Sequence, residues 1–418
     1  MNKNTLSYYF IRFITFPIQY IPYKVLHKFG KIIGYISFYL LKNYRKRALS
    51  NLALAKSLNL SNNDIKKNAI KSFQNLAITL LEYPKFFYEK DLSKLFVCEK
   101  EQPALDLYKK NIGIIFFVSH LSNWETLFLN GTLKMKGIAI AKPIKNKKLY
   151  NWIKKIREKN NGQIIEPKNA LKESLRNLKK GVFVGLVADQ GMPDSNYSYP
   201  FFNRRAWNTT SPALLSYKTS SPIIIATTKR ENGRYKIKYS DPIWPNLNNN
   251  KDFEIKRLMD KSLNILETEI RKSPGEYFWQ HNKYKQQSLR YIYKRFRYDS
   301  ILIVLPKEKE NFHKILNDLK TFKEIYYREF LFILCPINFK NEKLIDCEEV
   351  IYYENYNDTL LDDYRFKLVF NFTNFKKINK YYLKKSSFET FDIKKLQKIS
   401  KLNTINLSIL LKKTICRT

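Results

Sequence analysis

The stretch "IIFFVSHLSNWETL" (residues 114–127) runs from an unbroken apolar segment into a histidine, then into polar residues and a glutamate. A short apolar run bounded by polar residues reads as a buried strand, and Ser122 offers an N-cap for a helix that begins with Asn123, Trp124 and Glu125. A strand that feeds a helix is the building unit of a layered α/β fold. The same pattern spreads outward. "GIAIAKP" (137–143), "GVFVGLVADQ" (181–190), "PIIIATTKR" (222–230) and "YKIKYSDPI" (235–243) read as further strands. "NALKESLRNLKKG" (169–181) reads as a helix closed by Gly181. "DFEIKRLMDKSLNILETEIRKSP" (252–274) is a long amphipathic helix stopped at Ser273–Pro274. Between residues 48 and 83 the apolar spacing predicts two helices, with "SNND" capping the second. The expected fold class is α/β: a central, mainly parallel or mixed sheet flanked by helices.

A chain of 418 residues suggests about two domains at roughly 150 residues each. From about Tyr298 the pattern restarts. "SILIVLP", "EFLFILCP", "EEVIYY" and "FKLVFNF" read as short strands of a second, small α/β unit. The division expected is N-terminal helices with a basic cluster over 1–47, a main domain over 48–290, and a C-terminal α/β domain without assigned role over 297–418. Only 11 glycines are present, and no G-x-G-x-x-G or Walker-type loop, which argues against a nucleotide fold. The four cysteines (Cys98, Cys335, Cys347, Cys416) are scattered, which speaks against a zinc site or a disulfide scaffold and suits a reducing compartment.

The N-terminus is apolar but interrupted. Phe13–Tyr23 holds Pro17 and Pro22, Ile32–Leu41 is short, and Lys24, Lys28 and Lys31 divide the two. Neither stretch reaches the ~18 apolar residues of a spanning helix, and no small-residue cleavage site follows. The segment reads as aromatic-rich helices at a membrane surface, with "KNYRKR" (42–47) favouring the cytoplasmic side; helices packed on a core are the bland alternative. A net charge of +39 calls for an anionic partner, whether an acidic protein, an anionic lipid or a nucleic acid. The lysines are spread along the whole chain, where a nucleic-acid reader clusters arginines on one element, and heavy Lys, Asn and Ile usage is itself a source of charge.

A strand ending at His120 places its imidazole at the sheet's carboxyl edge, where open α/β sheets present ligands. His120 and Glu125 would stand about 140° apart on a continuous helix, so they meet only if the backbone turns between them. With that turn, Glu125 accepts from one ring nitrogen and the other is free to take a proton from a substrate hydroxyl. The competing reading is structural: Ser122 and Glu125 also spell a capping box. Spacing alone leaves both open.

Further motifs keep one order along the chain: "RKRALSNLALA" (45–55), "SHLSNWETL" (119–127), "AKPIKNKKLYNWIKKIREKNNG" (141–162), "LKKGVFVGLVADQG" (178–191), "YPFFNRRAWNTTSPALLSYKTSSPIII" (199–225) and "SPGEYFWQHNKYK" (273–285). Together, from roughly Arg45 to Lys285, they resemble the late acyltransferases of lipid A biosynthesis. The resemblance implies a fold related to glycerolipid acyltransferases. It also implies transfer of a fatty acyl group from acyl carrier protein to a hydroxyl of an anionic lipid A precursor, at the cytoplasmic side of the inner membrane, without metal, cofactor or nucleic acid. By the same resemblance His120 is the catalytic base and Glu125 its acidic partner. Asn123, Lys142, Arg157, Asp189 and Gln190 would serve substrate binding, with Lys142–Pro143 standing where Arg-Pro is usual. Ser122 and Asn203 stand where glycine is usual; Ser122 is tolerated as an N-cap, whereas Asn203, a residue that does visit positive φ, puts the backbone of its loop in question. Acylation of another membrane lipid, a glycerophospholipid or glycolipid, is the nearest alternative; a non-catalytic basic membrane or nucleic-acid binder is the more distant one. The aromatics of "YSYPFF" (197–202) are candidates for an acyl groove or for core.

Overall fold

In the computed structural model, which describes residues 3–417, the strands fall where apolar runs are continuous. All four residues of Ile115–Val118 are buried, as a strand covered on both faces requires. The chain packs as two compact units that interleave along the sequence: residues 1–40, 67–190 and 208–278 form one, and 41–66, 191–207 and 279–418 the other.

The first unit is built on strands β1 (Phe96–Glu99), β2 (Ile115–Val118), β3 (Gly137–Ile140), β4 (Gly162–Ile165) and β5 (Phe183–Val187). The second unit contributes a separate hairpin, β6 (Ser198–Phe201) and β7 (Arg204–Trp207), before β8 (Ile223–Glu231) and β9 (Arg234–Tyr239) complete the first unit's sheet. The sheet order is β1-β9-β8-β2-β5-β3-β4. Its pairings are parallel except β8 with β9, so β2, β3, β4, β5 and β8 all end at one edge. β8 and β9 join through Asn232–Gly233, both at positive φ (48° and 84°), the backbone of a two-residue hairpin turn. The mixed α/β sheet expected from the sequence is found. "FVCE" and "GQII" are short, half-exposed strands that no apolar run announced.

Helices of the first unit are α1 (Lys3–Thr15) and α2 (Tyr23–Leu40). α3 (Lys42–Leu54) belongs to the second unit, and α4 (Asn62–Tyr88) enters the first at Lys67. Ser61 caps α4 by accepting from the Asp64 amide at 3.2 Å, as "SNND" predicts. α2 lies so close on α4 that a Cβ at Gly34 would sit 2.3 Å from the Gln74 Cα, so only glycine fits there. α5 (Gln102–Lys109) and α6 (Glu125–Lys134) cover one face of the sheet, where Phe116, Val118, Leu127 and Phe183 share a core cluster. α7 (Lys147–Arg157) brings Trp152 and Ile156 against Phe86 of α4. α8 (Ala170–Leu178), α9 (Ser211–Thr219) and α10 (Lys251–Lys272) pack on one another and on β5, β2 and β8. Among the described residues no helix is long and apolar enough to cross a membrane.

The second unit holds an all-parallel sheet of β10 (Ser300–Val304), β11 (Phe330–Pro336), β12 (Glu349–Tyr353), β13 (Leu368–Asn371) and β14 (Glu389–Phe391), in the order β12-β11-β10-β13-β14. α11 (Lys309–Ile325), α12 (Lys377–Lys385), α13 (Ile393–Ser400) and α14 (Leu407–Ile415) accompany it, and Phe312, Leu319, Leu410 and Leu411 pack with Ile301, Ile303 and Phe370 in one core. The segment carrying "RKRALSNLALA" packs here: the Lys367 ammonium bonds both Asp299 carboxylate oxygens (2.7 Å each) and Asn51 Oδ1 (2.8 Å), all buried. The β6–β7 turn places Phe202 and Asn203 at positive φ, 48° and 59°, which answers why glycine suits position 203. Tyr197, Tyr199, Phe201 and Phe202 are buried, so "YSYPFF" is core rather than an open groove.

Candidate active site

β2 delivers His120 and β5, its neighbour, delivers Asp189 and Gln190 at the same sheet edge. Asp189 holds the histidine twice: one oxygen accepts from the His120 amide (2.9 Å), the other meets ring Nδ1 (2.6 Å). The carboxylate is buried, 2% exposed, and therefore keeps a fixed direction. An Nδ1–H that donates to Asp189 leaves the Nε2 lone pair outward, and the Gln190 amide lies 3.3 Å from Nε2 on the donor side. Trp124 and Phe278 wall the ring, with centroids 4.7 and 5.8 Å away.

This corrects the expected pairing. The carboxylate on the imidazole's Nδ1 is Asp189, whereas Glu125 clasps Arg157 through two bonds of 2.8 and 2.7 Å. Glu125 also accepts from the Trp124 indole at 3.0 Å, and Arg157 reaches the Tyr83 hydroxyl at 2.9 Å. Burial alone would raise the Glu125 carboxyl; the Arg157 guanidinium outweighs it and holds the group below its ordinary value. Glu125 is thus an ionised partner that orients Arg157 in the pocket wall.

The turn between β2 and α6 is real, but its caps differ from expectation. Ser122 takes φ +50°, its amide donating to the Glu276 carbonyl (2.9 Å), while Trp124 occupies the N-cap position without a side-chain cap. Asn123 performs the capping instead, its Oδ1 accepting from the Glu125 amide at 3.2 Å. The Asn123 side-chain Nδ2 donates to Glu82 at 2.6 Å, and Asn123 is wholly buried and lies behind the pocket. Left-handed backbone at Ser122 explains the usual glycine there.

Behind Asn123 stands a buried cluster that the sequence reading did not single out. Glu82 of α4 accepts from Asn123, contacts His27 Nε2 (2.6 Å) of α2, takes the Arg230 guanidinium (3.2 Å) of β8, and accepts from the Tyr235 hydroxyl of β9. Burial would raise the Glu82 carboxyl, yet Arg230 and His27 bring it well below its ordinary value. Arg230 in turn bonds Asn75 (2.5 Å), whose amide holds the Ser122 and Glu276 carbonyls (3.0 and 2.9 Å). The cluster ties α2, α4 and the β8–β9 hairpin to the turn that carries the site. A carboxylate on an apolar helix face, as in "TLLEY" (79–83), was the one hint available.

Below His120 lies a cavity of about 380 Å³. Phe116, Val118, Leu127, Phe128 and Phe183 give it buried apolar walls, Glu125 and Arg157 also stand in the wall, and His120 with the exposed Lys142 and Gln190 lines its mouth. Lys142 is exposed there and has no ion pair among the described residues. Of the seven residues expected at the site, six border this cavity or bond His120, and Asn123 does not. An oriented imidazole above a deep apolar cavity suits proton abstraction beside a bound hydrocarbon chain.

No curated protein matches the chain. A model of the bacterial lipid A biosynthesis acyltransferase family matches residues 3–286, more than half of the 418. The chain therefore belongs to the bacterial lipid A biosynthesis acyltransferases.

Proposed function

We propose that His120 is the general base of an acyl transfer from acyl carrier protein to a hydroxyl of the lipid A precursor. The observation that carries this reading is the 2.6 Å contact between Asp189 and His120 Nδ1 at the mouth of the apolar cavity. His120 Nε2 takes the hydroxyl proton, the oxygen attacks the thioester carbon, and Asp189 stabilises the imidazolium. The C–S bond then breaks, and the imidazolium returns its proton to the departing thiolate. The cavity accepts the donor's alkyl chain, which loses water contact as the thioester reaches His120. Lys142, unpaired at the mouth, meets phosphate or thioester oxygen, and the overall charge of +39 attracts both an acidic carrier and a phosphorylated acceptor.

We place the protein at the cytoplasmic face of the inner membrane, held there by α1 and α2. Phe13 is 79% exposed and Leu40 72%, and Phe10, Phe29 and Ile32 are also exposed, an apolar surface too extensive for water alone. Mass spectrometry of lipid A from cells carrying wild type or H120A tests the reaction. The variant is expected to lack one secondary acyl chain; an unchanged lipid A profile sinks the assignment, and a changed phospholipid profile would favour the other acceptor class.

A further inference from the structure

A second cavity, about 550 Å³, opens between α2, α4 and the β8–β9 turn and shares no lining residue with the acyl cavity. Lys24, Lys28 and Lys31 of α2, Lys71 of α4 and Arg230 of β8 border it. Arg230 is already committed to Glu82 and Asn75, but among the described residues the four lysines have no ion pair. Glu276 is the lining's single carboxylate, and burial raises its carboxyl above the ordinary value. The cleft thus presents uncompensated positive charge.

The geometry of α2 says what should fill it. At about 100° per residue, this helix has three faces. Leu26, His27, Gly30, Gly34 and Phe38 face the protein. Phe29, Ile32, Ile33, Ile36 and Leu40 are exposed on the far side. Lys24, Lys28 and Lys31 form a stripe along the boundary between the two. A helix lying in a bilayer interface has this arrangement, with apolar side chains among acyl chains and lysines at the level of the phosphates.

We propose that the cleft seats the phosphate of an anionic phospholipid headgroup while the exposed face of α2 rests in the adjoining acyl layer. The proposal deepens the membrane placement above and rests on it. The full-length protein would be co-sedimented with vesicles of phosphatidylcholine alone and with vesicles also containing phosphatidylglycerol. The variant K28Q/K31Q/K71Q is expected to lose affinity for the anionic vesicles about five-fold per lysine, on the order of a hundred-fold in all. Its weaker binding to neutral vesicles should not change. A charge-matched control, K109Q/K110Q/K180Q, alters exposed lysines elsewhere on the same unit and should bind as wild type.

Equal losses in variant and control would mean diffuse charge and overturn the cleft. Wild-type vesicle binding by the variant, with a raised KM for the acceptor in detergent, would hand the cleft to the acceptor's phosphate and overturn the proposal equally. Failure of the wild type to bind either vesicle would bring down the membrane placement itself.

Discussion

Both units are built mainly on parallel strands and differ in what the strand ends carry. In the first, β2 and β5 end in His120, Asp189 and Gln190 above an open cavity. In the second, the order β12-β11-β10-β13-β14 reverses at β10, so a ligand crevice is due at the carboxyl ends of β10 and β13. That edge satisfies itself instead. The Tyr353 hydroxyl donates to the Leu305 carbonyl (2.6 Å), Asn371 accepts from Thr373 (2.7 and 3.0 Å), and Tyr356 stacks on Phe375 at 5.7 Å. Glu308 stands at the N-cap of α11, where a phosphate would need positive charge, and the chain has no glycine beyond Gly275 to let a backbone cradle one. Architecture offers the position; the residues at the strand ends decide whether it becomes a site.

The sharpest way to break this contrast is to change which carboxylate holds the imidazole. D189N replaces an acceptor at Nδ1 with an amide that can donate, which drives the ring proton to Nε2, the nitrogen that takes the substrate's proton in the proposed mechanism. A loss of roughly 10²–10⁴ in kcat is expected, with the unfolding midpoint nearly unchanged. E125Q should behave in the opposite sense. It weakens the ion pair to Arg157, costs up to a few kcal/mol of stability, and lowers the rate less than D189N does. If E125Q matched D189N in rate with stability intact, Glu125 would be the imidazole's working partner after all.

The reason the sequence misassigned this pair is physical. Glu125 is five residues from His120 and Asp189 is 69 away; spacing left the Glu125 pairing open, and the resemblance then assigned it to the nearer carboxylate. Only the pairing of β2 with β5 brings Asp189 in, and strand order is a long-range outcome. A clue existed: "FFVSH" and "GLVADQ" are both apolar strands that end in polar residues, and parallel strands end at a common edge. Continuous apolar runs made most central strands legible, whereas β1 and β4 were missed because half-exposed strands lack that signature. The Glu82 cluster needed four separate elements to converge, which no local pattern records.

The second unit contains buried charge too, and here the expected role is stability alone. K367M would strand the Asp299 carboxylate at 0% side-chain exposure, costing about 3–5 kcal/mol in urea unfolding. D299L/K367M, which removes both charges, should recover most of that. Acyl transfer per folded molecule should stay at the wild-type level in the double variant. Lost transfer with an intact fold would place catalytic duty in the second unit and end the contrast drawn above.

A more gradual effect separates the units by pH. Burial pushes the Glu329 carboxyl up to about 8 from its ordinary value of 4.5, outweighing the Gln287 amide (2.7 Å) and the Arg328 and Glu329 backbone amides that favour the ionised form. Between those values the folded chain holds a proton that the unfolded chain has released. The stability Glu329 contributes is therefore full below about pH 4.5 and is lost as pH rises through about 8. E329Q keeps the acceptor for Gln287 and removes the titration. Unfolding free energies of the two proteins should diverge in favour of E329Q by at most about 1.4 kcal/mol per pH unit across that window, then run parallel at higher pH. A difference that stays flat from pH 5 to pH 8 would mean that Glu329 is ionised in the fold, and that this sheet tolerates a buried charge at its rim as the first unit's sheet tolerates Asp189.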